Sequence, residues 1–113
     1  MPFDALITNA GRLRILTALA VENPQEFVRL RGLTRLTDGN LSSHAKRLKS
    51  AGLVAIEKAF RDGKPVTTFL LTDDGRRRLT EHVDRLLKAV HVAPDRSTAS
   101  EAVADAADEE WVD

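Results

Sequence analysis

Thr37-Asp38-Gly39-Asn40-Leu41-Ser42-Ser43-His44-Ala45-Lys46-Arg47-Leu48-Lys49-Ser50-Ala51-Gly52-Leu53 is the stretch on which the fold turns. Leu41, Ala45 and Leu48 recur at i, i+4 and i+7 and form the apolar edge of a short helix. At its front, the hydroxyl of Thr37 or the carboxylate of Asp38 is placed to accept orphan backbone N–H groups. At its back, Gly52 suits a left-handed stop with Leu53 packing behind it. With Leu41 turned inward, Gly39, Ser43, Lys46 and Ser50 point away, flanked by Ser42 and Arg47 with Asn40 beside them. That face is short, polar and basic. His44 lies at its boundary and is read as packing or hydrogen-bonding locally rather than as a phosphate contact.

Working outward, Val54–Phe60 and Val66–Leu71 are β-prone runs, and Asp62-Gly63 between them supplies residues that tolerate the positive φ of a hairpin loop. Pro65 sits at the loop edge, where a missing donor matters least. Arg61 and Lys64 bracket the turn. Upstream, residues 3–7 are an apolar helical start. Asn9 caps a helix to about Ala20, with Leu13, Leu16 and Ala20 on its stripe. Asn23-Pro24 is read as the start of a helix that carries Phe27 and Leu30 and continues to Leu33. Downstream, Thr72-Asp73-Asp74 caps a last helix to about Val90, and Leu79, Val83, Leu86 and Val90 form a narrow coiled-coil-like seam. The expected class is mainly α with a small β-hairpin wing, a winged helix-turn-helix. Residues 1–92 are expected to form this domain and its C-terminal dimerisation helix, and residues 93–113 an acidic, disordered tail.

The 113 residues suit one domain with one modest core. There is no cysteine, which excludes disulfides and thiolate metal sites. No apolar run approaches a membrane span and the N-terminus lacks a signal-peptide layout, so no membrane partner and a cytoplasmic location are expected. The formal net charge of zero hides an asymmetry: residues 1–90 carry +6 and residues 91–113 carry −6. A basic body points to an anionic partner. The matched tail, which holds the single tryptophan Trp111, is either a spacer or a competitor for the basic face.

On the helix, Asn40, Ser42 and Ser43 can hydrogen-bond phosphates or base edges, and Lys46 and Arg47 can neutralise phosphate or reach guanine. Arg61 and Lys64 at a ribbon tip suit the DNA backbone or minor groove. Double-stranded DNA is therefore the expected partner, and a DNA-binding transcriptional regulator, most simply a repressor, the expected function. A protein–protein adaptor on the same fold is the alternative. Single-stranded RNA is disfavoured because the aromatics are only four Phe and Trp111. Arg76-Arg77-Arg78 reads as a solvated run or as a contact to flanking phosphates. His82 and His91 are nine residues apart with no acid at metal-ligand spacing, so no metal is expected, and no cofactor. No catalytic grouping appears, so no enzymatic activity is expected. The seam Leu79, Val83, Leu86 and Val90 reads as core or as a homodimer interface, with the dimer favoured because little of the domain remains for it to cover.

The stretch Leu36–Ala51, the segment Gly52-Leu53-Val54 and Leu70-Leu71-Thr72-Asp73-Asp74-Gly75 resemble small winged-helix regulators of the MarR/ArsR type. The likeness covers roughly residues 3–90. It implies a homodimeric transcriptional regulator joined through terminal helices, with Asn40, Ser42, Ser43, Lys46 and Arg47 facing DNA and Arg61 and Lys64 in the wing. A small-molecule effector, if one exists, would sit between the dimer helices, and no residue names it. There are two departures from the pattern: Thr34-Arg35 stands where the family has Leu-Gly, and Ala45 where a core leucine is common.

Overall fold

The structure, a computed structural model, describes residues 4–92. The elements in order are α1 (Ala5–Thr8), α2 (Ala10–Val21), β1 (Gln25–Glu26), α3 (Phe27–Thr34), α4 (Asp38–Ser50), β2 (Val54–Arg61), β3 (Lys64–Leu71) and α5 (Asp73–Val92). The chain divides into two units, one ending at His82 and the other beginning at Val83. The expectations for the acidic tail and Trp111 fall outside the described residues.

Helices α1, α2 and α4 begin where short polar side chains cap them. Asp4 accepts from the Leu6 amide at 3.0 Å, Asn9 from Arg12 at 3.0 Å and Thr37 from Asn40 at 3.1 Å. Each satisfies one orphan donor, worth about 1 kcal/mol. Thr37 therefore caps α4, while the Asp38 carboxylate takes a 2.8 Å ion pair with Arg31. The end of α4 closes with two reverse bonds: the Leu53 amide donates to the Leu48 carbonyl and the Gly52 amide to Lys49, both at 2.9 Å. Gly52 holds φ +80°, the left-handed value this closure requires.

The first unit is built around Ile7, Ile15, Leu16, Leu19, Leu30, Leu41, Ala45, Leu48 and Leu53, all fully buried, joined by Val54, Phe69, Leu71 and Leu79. On α2 the buried face is Ile15, Leu16 and Leu19, whereas Leu13 and Ala20 are only partly covered. The stripe expected through Leu13, Leu16 and Ala20 is thus rotated, because almost every residue of Ile15–Ala20 is apolar and several stripes compete.

Asn23-Pro24 does not start a helix. The Asn23 side chain clips the end of β3, accepting from the Leu71 amide at 2.8 Å and donating to its carbonyl at 3.3 Å. Gln25 and Glu26 then pair with Phe69 and Thr68 as a third strand, and α3 starts only at Phe27. The sheet order is β1-β3-β2, with both pairings antiparallel. A two-residue strand of Gln and Glu carries no propensity signal, so it is set by its partner rather than by its own sequence.

The hairpin turns on Asp62 (φ +54°) and Gly63 (φ +77°), both in the left-handed region as a two-residue primed turn demands. Arg61 pairs with Lys64 and Phe60 with Pro65. In a two-residue hairpin the pair next to the closing one is non-hydrogen-bonded, so the position that Pro65 leaves without a donor faces outward. β1 reaches only as far as Thr68 and does not need that donor.

The connection from β3 to α5 is tied to the end of α4. The Thr72 amide donates to the Leu53 carbonyl (3.1 Å) and its hydroxyl to the Gly52 carbonyl (2.7 Å), while the same oxygen caps α5 by accepting from the Gly75 amide (2.9 Å). Gly75 is buried so closely on this junction that a Cβ there would lie 2.1 Å from the Leu53 carbonyl oxygen. Arg78 adds an ion pair to the Asp4 carboxylate, fixing α5 to the N-cap of α1. Arg77 is held by Asp74 (3.0 Å) and Glu81 (3.2 Å), and Arg76 is exposed.

In the second unit the helix continues from Val83 with an ion pair from Lys88 to Asp84 at 3.2 Å. Val83, Leu86, Leu87 and Val90 are 40–62% exposed. Leu79, read with the same seam, is corrected: at 6% exposure it belongs to the core of the first unit. Among the described residues no helix is long and apolar enough to cross a membrane.

Candidate nucleic-acid interface

Three buried residues, Leu41, Ala45 and Leu48, clamp α4 and leave the opposite face to solvent. Burial of each leucine contributes about 1.5–3 kcal/mol, so the helix is held by its inner edge and its outer edge is free to vary. Gly39, Asn40, Ser43, Lys46, Arg47 and Ser50 are all exposed there. Ser42 is half-buried on the flank that faces the sheet, and His44 on the opposite flank.

His44 settles as a packing residue. Its ring lies against Gly11 of α2 so closely that a Cβ at Gly11 would come within 2.8 Å of it. Arg12 Nη1 donates to its Nδ1 at 3.4 Å. A guanidinium has no acceptor, so Nδ1 carries no proton in this contact and the neutral ring holds its proton on Nε2. Burial, followed by the charges of Arg12 and Arg47, lowers the imidazole pKa from its ordinary 6.5.

The turn before α4 resolves the Thr34-Arg35 departure. Thr34 is buried, and its hydroxyl donates to the Leu30 carbonyl at 2.8 Å. Its own carbonyl accepts from Arg14 at 3.3 Å. Arg35 takes φ +60°, the left-handed conformation for which glycine is preferred, at a cost of about 1–2 kcal/mol. The turn keeps its geometry without its usual residue.

Between α4 and the sheet runs an open groove of about 270 Å³. Phe27, Ala45, Ile56 and Phe69 line its floor, with the Phe27 and Phe69 rings 5.9 Å apart. Lys46, Lys49 and Lys58 border it. Of these cations the sequence reading singled out only Lys46. Lys49 follows from helical position, three residues after Lys46 on the Ser42 side. Lys58 requires the strand register, since alternate residues share a face and Lys58 follows Ile56 on the side that lines the groove.

The wing does not present its two expected cations alike. Lys64 is exposed next to the turn. Arg61 lies on the sheet face opposite Lys58 and is drawn to Glu26 of β1 at 2.5 Å. Both partners of that pair are about half exposed, so it is worth little and exchanges readily for another anion. The set that shares one side is therefore Asn40, Ser43, Lys46 and Arg47 from α4, with Ser42, Lys49 and Lys58 along its sheet-facing flank.

A profile of the winged helix DNA-binding domain matches residues 11–90, which takes in α2 to α5, the exposed face of α4 and the hairpin. The chain belongs to the winged helix DNA-binding domain family. This winged helix domain is 32% identical over 83 residues to an uncharacterized protein of Methanocaldococcus jannaschii, covering 74% of this chain and 90% of that one. It is also similar to the solved transcriptional regulator homologue of Pyrococcus horikoshii OT3, with a TM-score of 0.71 and 32% identity over 80% of this chain and 88% of that one. A MarR-family transcriptional regulator from Silicibacter pomeroyi shares the fold, with a TM-score of 0.62 at 19% identity over 96% of this chain and 72% of the other. The winged helix reading, with DNA as the partner and transcription regulation as the family's role, rests on these likenesses and on the fold together.

Proposed function

We propose that this winged helix domain is a homodimeric, sequence-specific transcriptional repressor that lays α4 in the major groove and its hairpin along the adjacent backbone and minor groove. The observation that carries the reading is the division of α4 into a fully buried edge and an exposed face of Asn40, Ser43, Lys46 and Arg47. Asn40 is suited to adenine and Arg47 to guanine, Lys46 and Ser43 to phosphate, and Ser42 to the strand that passes toward the wing. Lys64 reaches the backbone at the tip, and Arg61 joins it by exchanging Glu26 for phosphate. Repression follows from occupancy of a promoter, which needs no further domain.

The dimer is formed by Val83, Leu86, Leu87 and Val90, an exposed apolar row on the second half of α5. Two α4 helices related by a two-fold axis read half-sites about one helical turn apart, roughly 34 Å. The dimer helices also offer the place for a small-molecule effector. The test is fluorescence anisotropy of the full chain on genomic duplex fragments, including its own upstream region, across a salt series. A fragment bound at least about 10³-fold more tightly than random duplex, with a steep loss of affinity in salt, is the expected result. Each of Lys46→Ala and Lys64→Ala should lower the salt slope by about 1. Binding without any preferred fragment would refute sequence-specific reading.

A further inference from the structure

Phe60 is 78% exposed in β2, one residue from the tip pair. Its cross-strand partner, Pro65, is exposed as well. The register puts both on the same sheet face as Ile56, Lys58, Thr67 and Phe69, all of which line the groove against α4. The wing therefore carries, on the side that borders the recognition helix, an apolar pair beyond its last buried residues. Lys58 stands behind it on the same face, whereas Lys64, paired with Arg61, lies on the other; the tip acid Asp62 is the one opposing charge within the turn. A cross-strand pair of this kind returns at most about 1 kcal/mol to the hairpin and leaves most of the phenylalanine in water. Non-hydrogen-bonded cross-strand positions bring their side chains closest, which sets the two rings side by side on one edge. Apolar edges of this kind are what minor-groove proteins press against deoxyribose and between base steps.

We infer that Phe60, backed by Pro65, is an apolar wedge that enters the minor groove and opens a base step beside the site read by α4. This deepens the proposed docking and rests on it. Lys58 on the same face, with Lys46 and Lys49 across the groove, favours a nucleic acid over an apolar protein surface as the occupant, because these cations would be buried without partners in the latter. A wedge predicts sequence preference at a position where no side chain hydrogen-bonds a base: a flexible pyrimidine–purine step should be favoured at the wing contact.

The experiment uses the full-length protein on its preferred duplex, with 2-aminopurine at successive steps of the wing-proximal minor groove. Wild type should raise the fluorescence at one step and bend the duplex, read by end-to-end energy transfer. Phe60→Ala should abolish both signals and weaken binding about tenfold while leaving the salt slope unchanged, since no phosphate contact is lost. Phe60→Leu should restore most of the affinity. Because Phe60 is exposed, the variants should melt as wild type does, which is checked by circular dichroism. Phe60→Ala that binds and bends as wild type does would overturn the wedge while leaving the docking intact. Loss of salt slope in Phe60→Ala would also overturn it, as the effect would then be electrostatic. If the wild type prefers no duplex at all, the underlying docking fails instead, a result distinct from both.

Discussion

Replacing Gly75 with alanine tests the junction on which the wing, α4 and α5 depend. The added Cβ would stand 2.1 Å from the Leu53 carbonyl oxygen, 3.0 Å from its carbon and 2.8 Å from Leu71 Cδ1. The first neighbour is backbone and has no rotamer by which to escape, so the start of α5 must retreat from the start of β2 by roughly 1 Å in a close-packed region. That retreat strains two hydrogen bonds, Thr72 to Leu53 at 3.1 Å and Gly75 to Thr72 at 2.9 Å. Each is worth about 1 kcal/mol. Overpacking against Leu71 adds about 1–3 kcal/mol, and the helix-propensity gain of alanine returns about 1 kcal/mol. The net expectation is a loss of about 2–4 kcal/mol, which lowers Tm by roughly 10–30 °C for a unit of this size. Urea denaturation followed by circular dichroism measures it. Gly32→Ala is the internal control: no heavy atom lies within 4 Å of its Cβ position on α3, so the same change should stabilise by about 0.5–1 kcal/mol. A Gly75→Ala variant as stable as Gly32→Ala would refute the argument.

Other outcomes follow from the same geometry. If the proposed dimer forms through α5, Leu86→Lys, at a position 40% exposed, should leave the monomer folded but dissociate that dimer in sedimentation velocity and weaken binding to a two-half-site duplex at least about tenfold. The lowered pKa of His44 gives a pH dependence of defined sign. The unfolded chain takes up the proton first as pH falls through about 6.5, so the contribution is complete above that value and declines below it until the folded ring also titrates. His44→Gln should flatten this part of a stability-against-pH profile. The Asp4 carboxyl acts at lower pH. Burial raises its pKa, but Arg78 and the Leu6 and Ile7 amides outweigh this and leave it below 3.8, so Asp4→Asn should remove stability at neutral pH and lessen the loss below about pH 4.

The parts of the fold that could be read from sequence are those specified by neighbouring residues. Thr37, Leu41, Ala45, Leu48 and Gly52 define α4 within one short window, and Asp62-Gly63 defines the turn in the same way. What sequence reading missed is set by residues far apart in the chain. Asn23 looks like a helix cap until Leu71, 48 residues on, is seen to take both ends of its amide. β1 exists because β3 offers an edge. The pairing of Arg61 with Glu26 spans 35 residues, so the wing arginine looks free in the sequence and is occupied in the structure. For the candidate interface, helical position alone gathers the α4 residues. Which wing residues share their side depends on strand register, and that is why Lys58 and Phe60 went unread. Arg35 shows the opposite case: an exposed residue unsuited to the left-handed turn holds it, because the preceding Thr34 is buried and tied to Leu30 and Arg14, which fixes the backbone on one side of the turn.

The ties among Gly52, Leu53, Thr72 and Gly75 have a consequence for how such a protein diverges. They clamp the reading helix by its far end, using main-chain groups and a single hydroxyl, and none of them lies on the exposed face. The side chains proposed to choose a DNA sequence are thereby uncoupled from those that set the angle at which the helix is offered. On that proposal, a lineage could rewrite Asn40, Ser43 or Arg47 one at a time and acquire new operators without having to rebuild its scaffold.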